Sequence, residues 1–220
     1  MTYSRTLVVL AKSIKKGGFC IAGKDIETNN WVRPVKDTPF TGTELCNLSN
    51  RTDPIEIFDI VEMTFIKQNP KVYQPENELV DMNVKGRYLE EFQIGHLETL
   101  IDGNQKDFLD LVKNRSIHKD NIKGLNLQNS LQLIRISNSN DARIIYYQPD
   151  INQNYFKPRL KFNYKGFSYN LPITVPTIPN LNRRIEPKIL ENAYITIGIG
   201  EEYRKNHYIL VVMLKEIDLT

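Results

Sequence analysis

Three sets of residues in this chain have the types and spacing to recognise a nucleic acid or nucleotide. Trp31 and Arg33 stand two apart in Trp31-Val32-Arg33-Pro34-Val35. Residues two apart on a strand share a face. An indole that can stack on a base would then lie beside a guanidinium that can grip a phosphate in bidentate fashion. The competing reading makes Trp31 a core residue and Arg33 a salt-bridged residue at a barrel rim. Gln74, Glu76 and Asn77 form the second set. Their amides and carboxylate match the donor and acceptor pattern of a base edge, or else they satisfy backbone groups of a polar crossover. The third set lies in the span Tyr146–Tyr169, where Lys157, Arg159, Lys161 and Lys165 alternate with tyrosines and phenylalanines. Single-strand binders use such mixtures of stacking rings and cations.

Bond-breaking chemistry is poorly supplied. His96, His118 and His207 are scattered without metal-binding spacing, and there is no GxSxG, Walker A or GxGxxG run. Only the fold could bring Cys20 to His207, or gather Asp25, Asp59 and Glu76 as carboxylates. Cys20 and Cys46 lack CxxC spacing, and two cysteines are too few for a thiolate-only zinc site. They fit reduced thiols better than a disulfide. The sequence therefore names no catalytic residue, no metal and no cofactor, and it leaves enzymatic activity open.

The bulk properties agree with a binding protein. Of 220 residues, 40% are hydrophobic and 25% charged, which is ordinary for a globular chain that buries a core. A net charge of +3 permits a polyanionic partner without requiring one. The apolar run Leu7–Ala11 is too short for a signal sequence or a membrane span. A cytoplasmic location and no membrane partner are the expectation.

The elements that must position these residues read mostly as strands. Thr6–Ala11 is apolar and β-rich. Phe19–Ile26 and Trp31–Val35 flank the polar turn Glu27–Asn30 and predict a hairpin. Lys36–Pro54 reads as a long irregular loop. Ile55–Ile66 is a central strand, and Asn69–Val80 is extended around Pro75. Arg87–Asn114 carries apolar residues near helical spacing and predicts the chain's helical segment. Leu131–Ile136, Ala142–Tyr147, Pro158–Tyr164, Phe167–Leu171, Tyr194–Ile199 and Tyr208–Ile217 are strands. Lys165-Gly166 is a two-residue hairpin turn that pairs Tyr164 with Phe167 and Phe162 with Tyr169. Those four rings then share an inward face with Leu160 and Leu171, while Arg159 and Lys161 face outward.

The fold class this predicts is mainly β with a helical insertion, arranged as two small OB-like β-barrels. The first spans residues 1–120, including the helical segment 87–114, and the second spans 121–220.

Several segments, in order, resemble a bacterial family, the dual OB-containing domain. They are Cys20–Gly23 with Trp31-Val32-Arg33-Pro34-Val35, Gln74-Pro75-Glu76-Asn77, Ile195–Glu201, and the final strand Tyr208–Ile217. The resemblance covers nearly the whole chain and implies two OB-like barrels. Where the family pattern has Thr-Asp-Pro, this chain has Thr174-Val175-Pro176 and lacks the Asp. Any role of that Asp is absent here. Through its fold, the resemblance implies a nucleic-acid or nucleotide ligand.

The leading expectation is a non-enzymatic binding module for single-stranded nucleic acid or nucleotide, using Trp31, Arg33, Gln74, Glu76, Asn77, Arg159 and Lys161. The alternatives are a small-molecule nucleotide sensor or enzyme with a pocket where Trp31, Arg33 and Gln74–Asn77 converge, and a scaffold for protein partners.

Overall fold

A first strand that must pair on both of its edges organises the N-terminal part of the chain. The computed structural model describes residues 1–102, 109, 115–137, 140–150, 155–183 and 185–217. The chain divides into two units. The first comprises Met1–Leu100 with Asn126–Ser130, and the second comprises Ile101–Leu125 with Leu131–Thr220.

In the first unit, β1 (Tyr3–Lys15), β2 (Gly18–Asp25), β3 (Trp31–Val35), α1 (Gly42–Ser49), β4 (Asp59–Gln68), β5 (Asn77–Val80) and β6 (Arg87–Glu91) follow one another. The sheet order is β1-β2-β3-β5-β4, and β4 pairs back onto β1, which closes a five-stranded barrel. The pairing of β3 with β5 is parallel and the other barrel pairings are antiparallel. The N-terminal half of β1, Tyr3–Val8, pairs with β4, while its C-terminal part, from Leu7 onward, pairs with β2. A bulge between Val9 and Ala11 lets the strand bend between these partners. Gly23 sits opposite this bulge, where a Cβ would lie 2.2 Å from the Val8 carbonyl oxygen.

Alternation along the strands sends Leu7, Val9, Ile21, Val32, Val61, Met63, Phe65 and Val80 into one buried cluster. Leu45 and Leu48 of α1 belong to the same cluster. The expected loop over Lys36–Pro54 therefore contains a helix. Its signal was local: Thr41 and Glu44 form a reciprocal capping box just ahead of Leu45 and Leu48.

The helix expected over Arg87–Asn114 is corrected at its start. Arg87–Glu91 is a strand that pairs with Asp59–Glu62 of β4. The unpaired edge of β4 offers backbone hydrogen bonds that outweigh a loose helical spacing. Arg87 also bonds Glu62 at 2.9 Å, and the Arg51 guanidinium covers the Tyr88 ring at 3.9 Å. Ile94–Leu100 forms a 3-10 segment with Leu97 fully buried. Leu109 is helical and buried, and the rest of 103–114 lies outside the described residues.

The second unit contains β7 (Ser116–His118), β8 (Leu131–Ile136), β9 (Ala142–Tyr147), β10 (Lys157–Tyr164), β11 (Phe167–Pro172), β12 (Lys188–Leu190), β13 (Ala193–Tyr203) and β14 (Asn206–Glu216). They form two sheets, β11-β10-β9-β12 and β7-β14-β13-β8. The connectivity repeats that of the first unit if β8 and β9 are one divided strand. β8 pairs with β13, as the start of β1 pairs with β4, and β9 pairs with β10, as the end of β1 pairs with β2. The chain just past β11 then meets β14 in parallel at Ile173 and Val211. A short excursion through Ser137 and Asn140 replaces the bulge of β1. The result is a curled half-barrel.

The hairpin register matches the sequence expectation: Leu160 opposes Leu171, Phe162 opposes Tyr169 and Tyr164 opposes Phe167. Lys165 and Gly166 both take positive φ, 46° and 81°, as a two-residue hairpin turn requires. Phe162 and Tyr169 stack at 5.3 Å and are buried. Tyr164 is half-buried and Phe167 exposed, so only the inner two rings of the expected four belong to the core.

The first unit's geometry makes two of its residues sensitive to change. Gly23→Ala forces a methyl against the β1 backbone and should cost on the order of 2 kcal/mol. Urea unfolding measures this, and a loss under about 0.5 kcal/mol would show that the bulge yields freely. Asp25 is the second. Burial pushes its carboxyl up, but the N–H groups of Thr28 and Glu27 and the Arg5 guanidinium outweigh burial and hold it below the usual carboxylate range. A depressed acid stabilises the fold above its unfolded pKa, and that contribution is lost as pH falls through the folded value. Asp25→Asn should therefore destabilise at pH 7 and flatten the acid limb of a stability–pH curve.

Candidate functional site

Trp31 and Arg33 lie on the face of β3 opposite Val32, which points into the barrel. They are thus on the outer surface of strands β2 and β3, the surface through which OB barrels meet ligands. In this unit the chain's own segments occupy that surface. Trp31 is buried, 4% exposed. Its ring lies 5.5 Å from the Lys24 ammonium, which donates to the Leu100 carbonyl at 2.7 Å.

Arg33 sits at the centre of a closed network. Its Nε donates to Glu76 Oε1 at 2.9 Å, and its Nη2 donates to Ser130 Oγ at 2.9 Å. The Ser130 N–H donates to Glu76 Oε2 at 2.9 Å, and the Ser130 hydroxyl donates to Glu76 Oε1. The Arg33 and Glu76 backbones are joined as well, N–H to carbonyl, at 2.9 Å. The Glu76 side chain is 1% exposed and that of Arg33 12%. A charge pair this deep persists only when the remaining lone pairs and protons are also satisfied, and Ser130 supplies that. Gln74 and Asn77 are buried beside it, with the Asn77 amide donating to Gln74 Oε1 at 3.4 Å. Arg33 and Glu76 are thus brought together, and Gln74 with Asn77. Trp31 lies on the same face of β3 with the Lys24 ammonium at its ring. Ser130 is 97 residues from Arg33 and carries no sequence signal of its role.

Arg159 and Lys161 belong to the second unit, on the outward face of β10. Strands β10 and β11 there correspond to β2 and β3 of the first unit. Register places Tyr147, Ile145 and Arg143 beside Lys157, Arg159 and Lys161, with Asn170 and Ser168 on the far side. This face is open: Tyr147, Lys157, Lys161, Ser168 and Asn170 are exposed and Arg159 is half-buried. Arg159 Nε donates to Asn170 Oδ1 at 2.7 Å, and its Nη2 donates to the Asn170 carbonyl. An amide holds this guanidinium in place without cancelling its charge. Burial, and then the neighbouring Arg115 guanidinium, lower Arg159 below its ordinary value. Among the described residues neither Arg159 nor Lys161 has a carboxylate partner, whereas Arg143 is paired with Asp141 at 2.6 Å. Arg115 and Arg143 were not singled out by the sequence. Its distance along the chain hid Arg115, and the shared outer face of β9 exposes Arg143.

These two faces lie on a closed barrel and a curled half-barrel of matching connectivity, and the family comparison agrees with that geometry. The model of the dual OB-containing domain matches residues 5–214. The chain belongs to the dual OB-containing domain family. No curated protein and no solved structure matches it. In this dual OB chain, Thr174-Val175-Pro176 follows Ile173, which bridges in parallel to Val211 of β14. Thr174 ties the backbone there to β14, because its N–H and its hydroxyl both donate to the Val211 carbonyl, at 2.9 and 3.2 Å.

Among the described residues, no group of three or more His, Cys, Asp and Glu is placed to hold a metal ion. No helix among them is long and apolar enough to cross a membrane. Arg184, half of the basic pair Arg183-Arg184, lies outside the described residues.

The network around Arg33 yields a prediction. Glu76→Ala leaves a buried guanidinium without its carboxylate and should cost about 3–5 kcal/mol. The pair Arg33→Met with Glu76→Leu should cost clearly less than the sum of the single changes. Urea unfolding of the four-member cycle measures the coupling, and additive losses would show that the two side chains act independently.

Proposed function

We propose that this chain is a non-enzymatic binding module for single-stranded nucleic acid, which it engages on the outer face of β9, β10 and β11. One observation carries the reading. The face holds Lys157, Arg159 and Lys161, with Arg115 adjacent, and neither Arg159 nor Lys161 has a carboxylate partner among the described residues. Crowded cations without counter-charge favour an anion that relieves their repulsion. A phosphate backbone along β10 would do so.

The neighbouring groups suit the rest of a nucleotide. Tyr147 is 51% exposed and presents its ring beside Lys157, where a base can stack. Asn170 and Ser168 offer donors and acceptors to sugar or base. The corresponding face of the first unit is less suited to a ligand, because Trp31, Glu76 and Ser130 are buried against the chain itself. Trp31, Arg33, Gln74, Glu76 and Asn77 then act by supporting the first barrel, and Arg159 and Lys161 act by contact.

Fluorescence anisotropy with a labelled oligonucleotide tests this across a salt series. Affinity should fall steeply with salt, with the log–log slope losing about 0.7 for each phosphate contact removed. Arg159→Ala with Lys161→Ala should weaken binding and flatten the slope by about two such contacts. Tyr147→Ala should weaken binding by about 1–3 kcal/mol with the slope unchanged. Absence of binding at low salt would favour a scaffold for protein partners.

A further inference from the structure

The outer face of the second unit is wider than its counterpart in the first. Strand β12 adds a fourth member beside β9, and the first unit has no such strand among its described residues. Alternation in β12 runs against the habit of edge strands, which set charge toward solvent. Lys188 and Leu190 share one side of it, where Lys188 donates to Glu216 Oε2 at 2.6 Å and Leu190 is buried. Ile189 is left on the outer face, 73% exposed.

Register fits Ile189 into the pattern of that face. Lys157 stands opposite Tyr147, Arg159 opposite Ile145, and Lys161 opposite Arg143, which in turn stands opposite Ile189. Each of these three rungs has a cation on β10 and an apolar side chain on β9 or β12. Arg143 adds no open charge, because Asp141 pairs with it at 2.6 Å. The β10 cations keep theirs. The Lys157 ammonium lies 5.4 Å from the centre of the Tyr155 ring, and Arg159 leans toward β11, onto Asn170. Cationic and apolar groups therefore run as two separate rows.

The spacing of the rungs selects a ligand conformation. Successive outward residues of a strand are about 6.8 Å apart. Nucleotides stacked in a helix rise only about 3.4 Å each. A strand with one nucleotide on each rung must be drawn out to roughly twice its stacked rise, with its bases parted. Parted bases need another apolar surface, and the row of Tyr147, Ile145 and Ile189 provides one. We propose that β12 completes a subsite for three unstacked nucleotides, with their phosphates over β10, the outer two bases on Tyr147 and Ile189, and the middle base on Ile145. This rests on the outer-face reading. It adds the length and conformation of the bound segment, and a contact residue on a strand which that reading does not use.

Anisotropy competition on the full chain at low salt tests the assignment, with 5′-phosphorylated thymidine oligonucleotides of increasing length. Affinity should climb steeply up to three nucleotides and then level off. A fully paired DNA hairpin should compete about tenfold more weakly than the single strand. Ile189→Ser alters an exposed side chain, so the urea midpoint should not move. The variant should bind a trinucleotide about fivefold more weakly. A dinucleotide can occupy the Tyr147 and Ile145 rungs, so its affinity should stay the same. An abasic strand should not distinguish the variant from the unaltered chain. Equal losses on abasic and normal strands, no effect of Ile189→Ser, no step at three nucleotides, or equal affinity for paired DNA would each overturn the proposal. In those outcomes, binding that still depends on Arg159 and Lys161 leaves the outer-face reading standing. Absence of binding at every length removes both.

Discussion

A five-stranded sheet closes only if its first strand serves two neighbours, and that constraint shapes both units. Pairing on both edges requires the strand to bend sharply part-way along its length. In β1 a single-residue bulge opposite Gly23 supplies the bend. In the second unit an excursion through Ser137 and Asn140 supplies it, and divides the strand into β8 and β9. One solution uses a single residue and gives a closed barrel. The other separates the sheets and leaves a cleft between β9 and β14. One repeated topology thus gives a closed barrel in the first unit and two sheets in the second.

Equivalent surfaces of the two units also give their arginines different partners. Strands β2–β3 and β10–β11 hold corresponding places in the two units. On the first, an arginine meets a glutamate and a serine hydroxyl, so its charge is neutralised inside the fold. On the second, an arginine meets an amide, so its charge stays available. The decisive difference is a carboxylate against an amide as the partner of the guanidinium. Both side chains fix the guanidinium's direction, but only the carboxylate neutralises it.

Strand content and register were legible in the sequence because both are local. Alternation in β10 and β11 and the Lys165-Gly166 turn together specified the pairing of Phe162 with Tyr169. The polar turn at Glu27–Asn30 specified the β2–β3 hairpin, and Asp25 completes it by accepting two turn N–H groups. The helical elements were harder to read. The helix α1 is only eight residues long, and its one clear sign was the capping box of Thr41 and Glu44. Arg87–Glu91 became a strand because β4 had an edge to fill, a circumstance set by residues more than twenty positions away.

Residue order alone was enough to establish a β-rich dual OB chain, and it marked Arg33, Glu76, Arg159 and Lys161 as residues with more chemistry than a core needs. What each of them lies against was decided by long-range packing. Charge is a property of the residue, but its availability depends on what lies against it. Glu76 is 43 positions from Arg33 and Ser130 is 97, and their approach places the Arg33 guanidinium in a nearly buried hydrogen-bonded network. Among the described residues, no carboxylate comparably reaches Lys161. Local spacing encodes which face a side chain takes. Whether that face remains exposed is set by closure of the barrel, which joins segments far apart in the chain.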